Sequence, residues 1–156
     1  MLAEDLGIPF VELNRVIERI VGCDVHEIHS LYGSSAYRRY ELRALEETIA
    51  AFPQAVIATG GGLVSEPATF ELLLSHCYTV WLRASPDEHM QRVVAQGDLR
   101  PMAGNLEAMA DLKRILAGRE AFYAKADLAF ETGGRSLADA YVQLRSSVLQ
   151  RISLPA

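Results

Sequence analysis

The sequence predicts an α/β fold: a parallel sheet with helices on both faces. Three observations carry this expectation. Short apolar runs at residues 9–13, 55–58, 78–82 and 128–131 alternate with longer segments of helical periodicity. The run Ala55-Val56-Ile57-Ala58 is apolar throughout, as a strand covered on both faces must be. Every pair of successive strands is separated by at least one helical segment, and a crossover of that length returns the chain for parallel pairing. With 156 residues, half of them apolar, the chain can bury a substantial core, and one domain spanning 1–156 is expected.

The elements follow in order. Residues 1–6 read as the last turns of a helix closed by Gly7, because glycine adopts the left-handed conformation of a helix end most easily. Pro9 to Leu13 is the first strand. Asn14 is expected to cap the next helix, whose apolar face carries Val16, Ile17, Ile20 and Val21 and which stops at Gly22. Asp24 and Glu27 form a capping box that opens a short helix ending at Gly33. Ser35 is expected to cap a longer helix, from Ala36 to about Ala51, with Pro53 just beyond it. After the strand at 55–58 come Gly60-Gly61-Gly62, then a helix started by Ser65 and Pro67. Tyr78 to Leu82 is the third strand, and Ser85-Pro86-Asp87-Glu88 supplies a cap, a proline at the first helical position and first-turn acids. The segment Gly97 to Gly104 reads as a polar loop able to move, and Asn105 caps a long helix to about Lys125. Leu128 to Glu131 is the last strand, Gly133-Gly134 a turn, and Ser136 the cap of a final amphipathic helix.

Charge and composition exclude several classes. A formal charge of −5 and a pI near 5.4 argue against a broad basic surface of the kind that binds phosphate backbones. No apolar run has the length of a membrane span, and the first residues lack the charged and apolar regions of a secretion signal, so a cytoplasmic location is expected. Cys23 and Cys77 lie far apart and read as ordinary buried thiols. His26, His29, His76 and His89 are not at ligand spacing with carboxylates or thiolates, so no metal site is expected from them.

Two kinds of residue point to binding chemistry. Three glycines at the carboxyl end of a buried parallel strand let a ligand approach the backbone closely, at the place where open α/β sheets hold their ligands. Arg38 and Arg119 offer the rigid guanidinium fork that suits carboxylate or phosphate. An arbitrary helical arginine is usually an exposed ion pair instead, as Arg43 with Glu47 at i,i+4 illustrates.

The combined order of motifs resembles the shikimate kinase family across nearly the whole chain. In that family a Phe-x-Asp-x-Asp strand is followed by Ile-Glu, a Phe-Arg-x-x-Glu helix, a triple glycine, an Arg-Pro lid and an Arg-x-x-x-Tyr helix. Here these stand as Phe10-Val11-Glu12-Leu13-Asn14, Ile17-Glu18, Tyr37-Arg38-Arg39-Tyr40-Glu41, Gly60-Gly61-Gly62, Arg100-Pro101 and Arg119 with Tyr123. The resemblance implies a P-loop-kinase-like fold in which Asn14, Arg38, Gly60, Gly61, Gly62 and Arg119 hold a ligand and Arg100 belongs to a lid. It places Glu12 at the family's Mg-associated aspartate, with the charge moved by one methylene. Asn14 stands where the family has the aspartate that binds the substrate hydroxyl, and an amide does not accept a proton as a carboxylate does. The family's G-x-x-x-x-G-K-[ST] phosphate loop does not occur in these residues, and neither does the strand before it. In the family that strand lies between those read here at 55–58 and 78–82, so these two are not expected to pair directly.

A second resemblance fits these departures. The stretches Ala58 to Phe70, Leu72 to Cys77 and Val93 to Asn105 resemble the C-terminal effector domain of benzoyl-CoA-responsive helix-turn-helix transcriptional regulators. It implies a sensor that is not an enzyme and has no catalytic residue. Benzoyl-CoA would be its effector, DNA would be bound only through a domain outside the chain, and a homodimer is possible. The alternative is a shikimate kinase, using ATP and Mg, represented without its phosphate loop.

Overall fold

The computed structural model describes residues 1–95 and 105–152. The expected lid, with Arg100, lies outside the described residues. The chain divides into two compact units, Met1–Cys77 and Tyr78–Ala156.

In the first unit, α1 (Leu2–Leu6) ends at Gly7, whose φ of 64° is left-handed, and the Gly7 and Ile8 amides donate back to the Glu4 and Ala3 carbonyls. Strand β1 (Phe10–Glu12) pairs parallel with β2 (Val56–Ala58), in the register Phe10 to Val56, Val11 to Ile57 and Glu12 to Ala58. Helix α2 (Leu13–Val21) follows β1 without a loop, and Glu12 occupies its N-cap. Asn14 therefore does not cap this helix; it sits in the first turn, which releases its side chain for another use.

Helix α3 (Val25–Ala51) opens on the expected capping box. The Asp24 carboxylate accepts from the Glu27 amide at 2.8 Å, and the Asp24 amide donates to the Glu27 carboxylate at 3.1 Å. The two helices expected on either side of Gly33 are joined into one kinked element, with Gly33 at φ 79° and ψ 171°. That backbone conformation is open to glycine and strained for other residues, so the break comes from Gly33 and no separate cap at Ser35 is needed. Beyond β2 the chain makes a 3₁₀ turn (Gly61–Ser65) before α4 (Pro67–His76).

The core of this unit joins α2, α3 and the 3₁₀ turn. Leu13 and Ile17 from one face of α2, Ile28 and Leu45 from α3, and Leu63 from the turn are fully buried. Truncating one such side chain to alanine typically costs about 2–5 kcal/mol, so the turn that carries the glycines is fixed by the same packing that holds the helices.

The second unit pairs β3 (Val80–Arg83) parallel with β4 (Leu128–Glu131), from Val80 opposite Leu128 to Arg83 opposite Glu131. The described strands thus form two parallel pairs, β1 with β2 and β3 with β4. A clamp precedes this second pair: Asp127 Oδ2 accepts from both the amide and the hydroxyl of Thr79, and that hydroxyl also accepts from the Asp127 amide. Helices α5 (Pro86–Ala95), α6 (Asn105–Tyr123) and α7 (Leu137–Leu149) complete the unit. Ser136 caps α7 as expected, its hydroxyl accepting from the Asp139 amide at 3.1 Å.

Candidate functional site

The carboxyl ends of β1 and β2 lie side by side because the two strands are parallel and in register. A cleft of about 170 Å³ opens there, lined by Glu12, Asn14, Ala58, Thr59 and Gly60. Glu12 ends β1, Asn14 begins the helix that follows it, and the other three leave β2 for the glycine turn.

Beside this cleft α3 presents Tyr37, Arg38 and Glu41. The Arg38 guanidinium donates from Nη1 to Glu41 Oε1 at 2.6 Å, and it lies against Gly62 so closely that a Cβ there would overlap Nη2. Gly62 is therefore the space that Arg38 fills. Glu41 is only 1% exposed, and its second oxygen, Oε2, has no hydrogen-bond partner among the described residues. Burial raises the Glu41 pKa, with Arg38 opposing the shift; the desolvation of the carboxylate outweighs the ion pair. Breaking such a buried pair by removing one partner leaves the other charge uncompensated, so each residue holds the other in place.

Tyr37 is buried and donates from its hydroxyl to Asn14 Oδ1 at 3.2 Å. Its pKa is pushed up to about 12, first by burial and then by the Glu41 charge, so the phenol stays protonated and able to donate. The exposed ring of His29 stacks on it at 4.3 Å.

Five of the expected residues fall together in the first unit: Asn14 and Gly60 line the cleft, Gly61 and Gly62 continue the turn, and Arg38 fills the space at Gly62. Arg119 lies half-buried in α6 of the second unit. Sequence reasoning did not single out Tyr37 or Glu41. The signal was available: Glu41 stands four residues after Tyr37 and three after Arg38, so all three share one face of the helix.

The family model for shikimate kinase matches residues 1–150. The shikimate kinase of Synechococcus sp. strain CC9605 is 36% identical over 152 residues, covering 96% of this chain and 75% of that protein. Among solved structures, the shikimate kinase from Acinetobacter baumannii in complex with shikimate superposes with a TM-score of 0.82 at 26% identity, covering 97% of this chain and 85% of that one. The shikimate kinase from Bacteroides thetaiotaomicron gives 0.83 at 26% identity, over 96% and 88%.

These findings correct the reading of the chain as a regulator's effector domain. The matching family model and these relatives are kinases, so benzoyl-CoA as effector, the DNA partner inferred through it and the exclusion of an enzyme are all withdrawn. The cleft gives the physical reason. Drug-sized ligands occupy pockets of roughly 300–1,000 Å³, and a coenzyme A thioester is larger than most of them. Among the described residues the cleft measures about 170 Å³. The order of Glu12, Asn14, Arg38 and the triple glycine, the parallel strands β1 and β2 whose carboxyl ends bring them together, and the match along residues 1–150 agree: the chain belongs to the shikimate kinase family.

Proposed function

We propose that residues 1–77 form the acceptor-substrate site of a shikimate kinase, an enzyme that phosphorylates shikimate with ATP. The observation that carries this reading is the Arg38 guanidinium, anchored by buried Glu41 and admitted by Gly62 next to the small cleft lined by Glu12 and Asn14. Arg38 neutralises the acid of the substrate, while Glu12 and Asn14 meet its hydroxyls. Arg119 and Arg100 are assigned to ligand and lid on the family's motif alone. A cytoplasmic location belongs to the same reading, since the phosphoryl donor is ATP.

ATP and Mg are the donor and cofactor that the family implies. The residues of this chain fit them poorly. The sequence contains no G-x-x-x-x-G-K-[ST] loop whose amides, lysine and hydroxyl would hold the phosphates and metal. Among the described residues no group of three or more His, Cys, Asp or Glu could hold a metal ion, and Glu12 alone offers a carboxylate in the cleft.

Calorimetric titration with shikimate tests the substrate site directly. Arg38→Ala is expected to weaken binding by about 1.5–3 kcal/mol, roughly 10- to 150-fold in Kd, because it removes a charge-assisted hydrogen bond from a partly buried position. Arg43→Ala, at an exposed ion pair with Glu47, serves as the control and should leave Kd unchanged. Equal effects at both positions, or no binding to the unaltered chain, would refute the assignment.

A further inference from the structure

The cleft holds one carboxylate and one amide, and the amide is not free to choose its role. Asn14 Oδ1 accepts from the Tyr37 hydroxyl, while Asn14 Nδ2 makes no hydrogen bond among the described residues. Tyr37 is 5% exposed and its hydroxyl stays protonated, so the core holds against Oδ1 a phenol that donates to it, with the Glu41 carboxylate as the phenol's other neighbour. Rotating the amide by half a turn would set its N–H₂ against the phenolic hydroxyl, breaking a part-buried hydrogen bond or forcing the phenol to reverse. Asn14 itself is exposed and lines the cleft.

We infer that Tyr37 is a positioning residue that locks Asn14 as a hydrogen-bond donor toward the cleft, leaving Glu12 as the side-chain carboxylate that accepts there. Together they select a ligand group that accepts from one side and donates to the other, which is a neutral hydroxyl. The polarity at position 14 is thereby reversed relative to a carboxylate at the same place: a carboxylate accepts from a ligand, and the locked amide donates to it. Specificity of this kind is strong because a mismatched ligand leaves a polar group unpaired.

The inference rests on the reading of this cleft as a shikimate site, and the test separates the two. Shikimate and a set of analogues, each with one ring hydroxyl replaced by an ammonium group, are titrated into the full chain and three variants. The readout is the affinity of each analogue relative to shikimate. An ammonium can only donate, so it meets Glu12 well and the locked Asn14 amide badly. Tyr37→Phe frees the amide to turn its oxygen inward, and for one analogue the relative affinity should rise about threefold. Asn14→Asp places an acceptor there outright and should raise it about tenfold for the same analogue, the change given by one gained hydrogen bond. Glu12→Gln should lower it.

A purely structural Tyr37 would weaken all ligands alike and leave the ratio constant, and that result overturns the lock. A rise with Asn14→Asp but none with Tyr37→Phe likewise overturns it, because the amide would then be shown to turn without release. Failure of shikimate itself to bind the unaltered chain removes the functional reading and the inference together, whereas binding with unchanged ratios removes the inference alone.

Discussion

Two glycine turns, one in each unit, are built on the same local device and put it to different uses. After β2, Gly62 leaves room for the Arg38 guanidinium; after β4, Gly133 leaves room for the Glu88 carboxylate, whose Oε2 would lie 2.5 Å from a Cβ there. In both, the absent side chain is replaced by a charged group from a helix. The difference lies in what that group does next. Glu88 turns back on its own surroundings, accepting from the Ser85 amide and hydroxyl and from the Gly134 amide, so it caps α5 and ties it to the turn. Arg38 gives one nitrogen to the buried Glu41 and lies beside the cleft lined by Glu12 and Asn14. A satisfied charge makes a joint, and an incompletely satisfied one makes a site.

The largest effect that would break this comparison is expected from Gly62→Ala. The backbone tolerates alanine, since Gly62 lies in a 3₁₀ turn outside the left-handed region, but the new Cβ collides with the guanidinium. Arg38 must swing away and leave Glu41 buried without its cation. Shikimate affinity should fall at least about tenfold and the melting temperature should drop, because an uncompensated buried charge costs several kcal/mol, about 3–5 in measured cases. Calorimetry and thermal melts on one preparation read both. Unchanged affinity would mean that the space at Gly62 is incidental.

Much of this was legible in the chain. Leu128–Glu131 falls where periodicity placed a strand, and Asp24 with Glu27 forms the capping box that their spacing announced. Local signals of this kind survive because each is decided within a few residues. Asn14 shows where they stop: cap chemistry and cleft chemistry use the same amide, and the long-range bond to Tyr37, 23 residues away, decided between them. Ser35 failed as a helix start for a related reason, since the chain resumes its helix through Gly33 without needing a new cap. The regulator resemblance drew on wording at 58–70, 72–77 and 93–105, whereas the family model and the relatives that match this chain are kinases.

A smaller and sharper contrast comes from pH. Glu41, raised by burial, holds a proton in the folded state over a range where the unfolded chain has lost it. Its contribution is therefore complete below the ordinary carboxylate value of 4.5 and is lost as pH rises through the folded pKa. Glu41→Gln mimics the protonated form and does not titrate. The melting temperature of the unaltered chain relative to this variant should fall as pH is raised from 4 toward 7. The variant should also bind shikimate less tightly, because Arg38 loses its anchor. A stability difference that stays flat or rises with pH would show that the ion pair with Arg38 outweighs desolvation.

The smallest effects belong to the joint in the second unit, and they carry the opposite sign. Glu88 is lowered, first by the Ser85 amide and then by the Gly134 amide, so its contribution is present above 4.5 and disappears as pH falls through the folded pKa. Glu88→Gln should therefore lose its disadvantage relative to the unaltered chain on acidification, where Glu41→Gln behaves in the reverse sense. Gly133→Ala pushes the same carboxylate aside, but Glu88 can rotate into solvent. A fall of at most about 2 °C in melting temperature is expected, with shikimate binding untouched. Should Gly133→Ala weaken shikimate binding as much as Gly62→Ala does, the distinction between a joint and a site would fail, and the two turns would have to be parts of one functional surface.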